Sequence, residues 1–243
     1  MIRHHLARTL SPLSDPLTGA VETIVAGARL MLLPEGALWW ADERTLVVSD
    51  LHLEKGSRMA ARGQLVPPYD TELTLTRVEA LAVGLRPDRI ISLGDAFDDV
   101  AGATRLSGNV LERLRILQRQ ADWLWIAGNH DPHVPEDLGG RQMTECMLKN
   151  LRFRHEPARQ ASDGEIAGHL HPAARVALQG RSVRRRCFAG DGRRLILPAM
   201  GTYTGGLSIT SRAFDGLFER ETLSVALLGE GRVYSFPGTM VMG

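Results

Sequence analysis

Apolar and polar residues follow two textures along the chain. Up to about residue 130, short apolar runs alternate with stripes at helical spacing; past residue 150, short runs succeed one another with no helical stripe between them. In the first texture, residues 22–26, 29–33 and 37–40 read as strands, and Pro34-Glu35-Gly36 is a turn between the last two. Residues 45–49 predict a buried strand, because a β-branched run favours extended backbone. The polar stretch 54–69 predicts a loop or a broken helix. Asp70 or Thr71 can cap a helix whose Val78, Leu81, Ala82 and Leu85 share one face, and Pro87 closes it. Residues 89–93 predict a second buried strand ending in Gly94-Asp95. A second helix carries Val110, Leu114 and Leu117 on one stripe. Residues 122–127 predict a third strand, which runs into Gly128-Asn129-His130-Asp131-Pro132.

Strand, helix, strand, helix, strand, with polar residues at each strand's C-terminal end, is the α/β pattern in which those ends line a ligand crevice. The second texture, with runs at 151–155, 165–169, 174–178, 187–189, 195–197 and 224–228, reads as mostly antiparallel sheet. The simplest architecture packs two sheets together with helices outside. Residues 1–20, whose second half holds two prolines, two serines, an aspartate and a glycine, read as a loosely tied leader, and 21–243 as a single domain.

Composition narrows the class of protein. A net charge of +1 does not nominate nucleic acid as a partner, although arginines crowd the stretch from Arg181 to Arg194. Cys146 and Cys187 are too far apart for a C-x-x-C pair, so a disulfide scaffold or zinc ribbon is not expected, and a reducing cytosol fits. No run reaches the roughly 18 apolar residues of a membrane span. Met1-Ile2-Arg3-His4-His5 lacks the apolar core of a secretory signal. A cytoplasmic protein with no membrane partner is the expectation.

The strand ends carry the chemistry: Asp50, His52, Asp95, Asn129, His130, His155, His169 and His171. Five of the chain's 8 histidines are in this set, too many for decoration. Asp50 and His52, and again His169 and His171, are two apart, so on extended backbone each pair projects to one side. Carboxylate, imidazole and amide together suit Mn²⁺, Fe or Zn²⁺ better than Mg²⁺ or Ca²⁺. Eight candidates exceed the needs of one ion and argue for two ions about 3.5–4 Å apart sharing a carboxylate. Such a pair would acidify a bridging water to hydroxide.

The ordered motifs Asp50-x-His52, Gly94-Asp95, Gly128-Asn129-His130-Asp131, His155 and Gly168-His169-x-His171 resemble the calcineurin-like metallophosphoesterase superfamily. The resemblance implies a four-layer α/β/β/α sandwich of two mixed sheets with a dinuclear site at the sheet edges. It implies that Asp50, His52 and His171 bind one metal and Asn129, His155 and His169 the other, with Asp95 bridging. His130 would lie beside the scissile phosphate without being a ligand. His155 lacks the preceding glycine common in the superfamily, and whether Asp98, Asp99 or neither orients His130 stays open.

Five further stretches are similar to the DNA ligase-associated metallophosphoesterases called PdeM. They are Asp50-Leu51-His52-Leu53-Glu54-Lys55-Gly56, Arg62-Gly63-Gln64, Pro67-Pro68-Tyr69-Asp70-Thr71, His155-Glu156-Pro157 and Gly201-Thr202-Tyr203-Thr204-Gly205-Gly206. That resemblance implies a Mn-dependent phosphodiesterase, a possible nuclease, acting in DNA repair beside a DNA ligase and a helicase. Two alternatives stay open: a phosphomonoesterase or nucleotide hydrolase, and a metal-stabilised non-catalytic subunit of a ligase-associated complex. The arginines of 181–194 could meet a polyanion, or simply guard a sheet edge. Trp39, Trp40, Trp123 and Trp125 are expected in the core, and His133 at the surface.

Overall fold

The computed structural model describes residues 15–160, 163–178 and 180–242, and its two sheets follow the two textures. The first sheet runs in chain order: β1 (Val21–Val25), β2 (Ala28–Leu32), β3 (Leu38–Trp40), β4 (Thr45–Val48), β5 (Arg89–Leu93), β6 (Asp122–Ile126) and β7 (Arg141–Met143). β1 to β4 pair antiparallel, whereas β4 to β7 are parallel. Parallel neighbours need long crossovers. α1 (Lys55–Ala61) and α2 (Asp70–Leu85) make the first, and α3 (Gly108–Gln120) the second. Ser107 caps α3 by accepting a hydrogen bond from the Val110 N–H. Asp70 does not cap α2: Tyr69 precedes the helix without a side-chain cap, and the Asp70 carboxylate accepts instead from Gly56 N–H at 2.9 Å. That bond ties α1 to α2, so the stretch 54–69 is the broken-helix alternative.

The second sheet holds β8 (Glu145–Leu148), β9 (Leu151–Arg154), β10 (Glu165–Ala167), β11 (Pro172–Leu178), β12 (Arg181–Gly190), β13 (Arg194–Ile196), β14 (Leu207–Ser208), β15 (Ser224–Leu228), β16 (Val233–Pro237) and β17 (Val241–Met242). Its pairings are antiparallel except β9–β10, β10–β13 and β11–β14. Both sheets are therefore mixed.

Alternation along the strands sorts side chains between layers. Leu46, Val48, Trp123 and Trp125 face the helices and meet Leu75, Val78, Leu81 and Leu114. Val47, Ile91, Leu124 and Ile126 face the other way and pack with Phe153, Ile166, Phe188 and Leu195 of the second sheet. All four tryptophans are buried. The outer face of the second sheet, with Val176, Cys187 and Val225, is covered by Ile209, Phe214, Leu217 and Leu223. The last four belong to an irregular segment with one 3-10 turn at Arg212–Phe214. Thus the expected layers are present, and the fourth is coil in place of α-helix. Both cysteines are free thiols. No helix of the described residues is long and apolar enough to cross a membrane.

Of the expected leader, residues 1–14, including His4 and His5, lie outside the described residues. Residues 15–20 form a turn whose Gly19 carbonyl accepts from Val233 N–H at 2.8 Å.

Candidate metal centre

Parallel pairing of β4, β5 and β6 puts Asp50, Asp95 and Asn129 on one rim of the first sheet. The second sheet supplies His155 after β9, His169 after β10 and His171 before β11. The backbone at these points is not extended. Asp50, His52, Asp95, His169 and His171 all have positive φ, between 42° and 66°. This region costs an L-residue roughly 1–2 kcal/mol. The paired side chains converge because the chain reverses at each of them, which corrects the extended-backbone geometry expected from spacing. The turns are pinned by main-chain bonds from His52 N–H to the Asp95 carbonyl, 2.9 Å, and from Leu53 N–H to that of Ala96, 2.8 Å. Leu51 and Leu53 point into the core as anchors.

Two glycines make the approach possible. A methyl carbon on Gly168 would stand 2.1 Å from Ser49 Oγ and 2.6 Å from Asp50 Oδ2. At Gly94, with φ +74°, it would stand 2.4 Å from His155 Nδ1. The room for His155 thus comes from a glycine on β5's end rather than from one before the histidine itself.

Two donor groups result, and they share Asp95. Asp50, His52, Asp95 and His171 each offer an atom within 4.8 Å of the others, as do Asp95, His155 and His169. His171 Nε2 lies 3.1 Å from Asp50 Oδ1 and 3.4 Å from His52 Nε2. His155 Nε2 lies 3.4 Å from Asp95 Oδ2, 3.1 Å from His169 Nδ1 and 3.0 Å from Asn129 Oδ1, which adds the amide to the second group. Each group takes residues from both sheets. His130 stands beside them, its Nε2 4.0 Å from Asp95 Oδ2, and is half-exposed. A third set, His52, Asp98 and His130, also lies close together, but the Nδ1 atoms of both histidines are committed to Asp98.

The tautomers test whether this set fits cations. His52 Nδ1 faces the Asp98 carboxylate at 2.9 Å and His155 Nδ1 faces the Leu93 carbonyl at 2.8 Å. Both partners accept, so Nδ1 carries a proton and Nε2 is the atom turned into the cluster. There it meets other nitrogens and carboxylate oxygens, an arrangement that calls for positive charge between them, whether a proton on Nε2 or a metal cation. Burial works against ionisation of Asp95, yet contact with His155, the His130 N–H and His52 holds its carboxyl down to about 2. Asp50 is likewise held low: burial opposes, and His171, His155 and the Ser49 hydroxyl outweigh it. Burial pushes His155 down, but Asp95 and Asp50 carry it up to about 9. The donor set is thus anionic carboxylate and imidazole around a spot that favours a cation, and it fits a divalent metal.

In the sequence Asp98 was only one of two candidates to orient His130, and its partners had no assigned role. Asp98 serves both histidines: its carboxylate takes His52 Nδ1, and its main-chain carbonyl takes His130 Nδ1 at 2.8 Å. Lys55 Nζ at 2.8 Å and Arg58 at 2.6 Å neutralise the same carboxylate. Asp99 turns away to Arg105. The open choice therefore resolves to Asp98, acting through its backbone. Asp131 is buried; one oxygen accepts from Phe97 N–H at 3.0 Å, and burial pushes its carboxyl up to about 7. The spacing Gly94-Asp95-x-x-Asp98 was the available signal. His133 is exposed.

Comparison with known proteins gives this geometry a family. The model of the calcineurin-like phosphoesterase family matches residues 43–191. Among solved structures, the Pseudomonas putida nuclease MPE is similar with 27% identity and a TM-score of 0.69, over 89% of this chain and 100% of that one. The Escherichia coli phosphoesterase Yfce is far more distant, with 15% identity and a TM-score of 0.41 over 79% of this chain and 98% of that one. No curated protein sequence matches significantly. The family match covers more than half of the chain and contains every donor residue named above, so the chain belongs to the calcineurin-like phosphoesterase family.

Proposed function

We propose that the protein is a Mn²⁺-dependent phosphodiesterase that cleaves a nucleic-acid-related phosphodiester at a dinuclear centre. The observation that carries this is the pair of donor groups joined at Asp95 with His130 alongside. Likeness over nearly the whole chain to a bacterial nuclease supports the substrate class. Asp50, His52 and His171 would hold one ion, Asn129, His155 and His169 the other, and Asp95 both. Fe or Zn²⁺ suits the same donors. Divalent ions so held supply an activated water and neutralise the phosphoryl oxygens.

The chain's own residues do the rest. Asp98 fixes His52 and His130 in orientation from one point, so ligand and acid stay in register. With its Nδ1–H committed to the Asp98 carbonyl, His130 presents Nε2 to the cluster. As an imidazolium it can donate to the departing oxygen, an effect worth about 10²–10⁴-fold. A place in DNA repair, with a DNA ligase and a helicase as partners, rests on the PdeM resemblance.

The test compares bis(p-nitrophenyl) phosphate with p-nitrophenyl phosphate, using purified protein and Mn²⁺. Diester hydrolysis well above monoester hydrolysis, lost in His130→Ala, is the expected result. No diester hydrolysis overturns the reading, and preference for the monoester transfers it to the phosphomonoesterase alternative.

A further inference from the structure

β12 is paired on both sides at one end only. Residues 187–190 pair with β15, and the last two of them with β13 as well, whereas residues 181–186 pair with β11 alone. In an antiparallel pair, every second residue turns its N–H and C=O away from the partner. The stretch 181–186 therefore presents main-chain donors and acceptors along an unpaired edge. Among the described residues, the one side-chain donor on its carbonyls is local: Arg185 folds back to the Arg184 carbonyl at 3.1 Å.

The two faces of this edge differ. Val183 and Arg185 alternate onto the face of Cys187, which carries the outer layer. There they meet Leu227, Leu228, Tyr234 and Phe236 in an open groove of about 210 Å³. The Tyr234 ring lies over bare backbone, since a methyl carbon on Gly229 would stand 2.6 Å from its Cε2, and the residue is 49% exposed. The opposite face carries Arg184 and Arg186. Among the described residues, none of Arg181, Arg184, Arg185 and Arg186 is paired with a carboxylate. Arginines along a free edge repel a second copy of it, because like charges directly opposite are destabilising. That protection gives no reason for an apolar groove beside them, and exposed apolar surface rimmed by charge marks an interaction site. The groups on offer also select the kind of partner. Phosphodiester oxygens accept but do not donate, so a nucleic-acid backbone leaves the edge carbonyls unpaired, whereas a polypeptide strand supplies donors and acceptors.

We infer that the 181–186 edge of β12 takes up an extended segment of a partner protein by strand addition. The segment alternates apolar residues, set over Val183 and Tyr234, with acidic residues on the face of Arg184 and Arg186. Main-chain bonds give such a complex its affinity, and the pockets for alternate side chains give it specificity. The unlike faces also fix register, because a slip of one residue puts carboxylates into the groove. The inference concerns assembly and stands apart from the phosphodiesterase reading.

Fluorescence anisotropy with a short labelled peptide of alternating glutamate and valine tests it, against a lysine–valine peptide of the same length. The glutamate peptide should bind saturably and the lysine peptide should not, and Arg184→Glu/Arg185→Glu should reverse that preference. No saturable binding of the glutamate peptide, or an unchanged preference in the double variant, overturns the inference. N-methylation at the valines, or at the glutamates, removes the donors of one peptide edge at a time. One of the two methylated peptides should bind about tenfold more weakly, and undiminished binding of both overturns strand pairing. Hydrogen exchange read by mass spectrometry locates the contact: the amides of 181–186 should slow when the glutamate peptide binds, and those of α3 should not. Slowing of 181–186 with a phosphorothioate oligonucleotide but not with the peptide assigns the edge to nucleic acid and overturns the inference. Slowing with protein concentration alone assigns it to a second copy of this chain, with the same consequence.

Discussion

Gly168→Ala puts one carbon into the space on which the centre depends. The added methyl would lie 2.1 Å from Ser49 Oγ, 2.6 Å from Asp50 Oδ2 and 3.3 Å from the Leu93 carbonyl. Ser49 and Asp50 are fully buried, so neither can swing into solvent. Reaching ordinary contact at 3.4 Å requires Ser49 Oγ to retreat by about 1.3 Å. That shift breaks the 2.5 Å bond from Ser49 Oγ to Asp50 Oδ2 and turns the carboxylate away from His171 Nε2. Overpacking of this kind costs about 1–3 kcal/mol, and replacing glycine returns about 0.4–1 kcal/mol from the unfolded chain, so the net is about 0–2.6 kcal/mol. For a chain of this size that is a fall of at most about 10 °C in Tm. The loss of function should be disproportionate, because one of the two carboxylates of the Asp50, His52, Asp95 and His171 group would be turned away while the fold survives. Differential scanning calorimetry, metal content by mass spectrometry after dialysis against Mn²⁺, and initial rates on a small diester measure the three quantities. A Gly168→Ala protein with native metal content and native rate would refute the argument that this glycine exists to let Asp50 through.

Asp50→Ala and His52→Ala should each lose one of two metal equivalents and nearly all turnover while circular dichroism stays native; retention of both ions in either variant removes it from the ligand set. His130→Ala should lower kcat by about 10²–10⁴-fold with metal content unchanged, and a loss of metal would make it a ligand instead. Glu165→Ala tests the frame: Arg194 Nε lies 2.5 Å from Glu165 Oε2 with both residues fully buried. Stranding that arginine should cost about 3–5 kcal/mol and about 6–20 °C in Tm. A thermal melt within a degree of native would show that the pair is not sealed from water.

Much of the fold was legible because burial on both faces imposes continuous apolar runs. β4, β5 and β6 sit where the patterns at 45–49, 89–93 and 122–127 predict. β12 was only half legible: the run at 187–189 is its buried end, and its arginine-bearing start has no apolar signature. β7, β8, β14, β16 and β17 are short or largely exposed and left no pattern to read. Donor residue types and order were readable, but their geometry was not. Spacing of two suggested extended backbone, whereas left-handed turns at Asp50, His52, His169 and His171 bring the groups together. Asp98 was ambiguous because its partners, His52 and His130, are 46 and 32 positions away, and no local pattern encodes such a contact.

Each donor group spans the seam between the two sheets, with Asp50, His52 and Asn129 on one side and His155, His169 and His171 on the other. A cation seated there acts as a rivet, and its binding energy is also cohesion between halves of the domain. Ligand bound only to the native state adds about 2.7 kcal/mol at a hundredfold excess over its Kd. In a chain this long that corresponds to about 5–11 °C per ion. Melting temperature therefore becomes a gauge of which metal the protein prefers. Mn²⁺, Fe²⁺, Zn²⁺ and Mg²⁺ can be ranked by the heat needed to part the sheets, before any substrate is in hand.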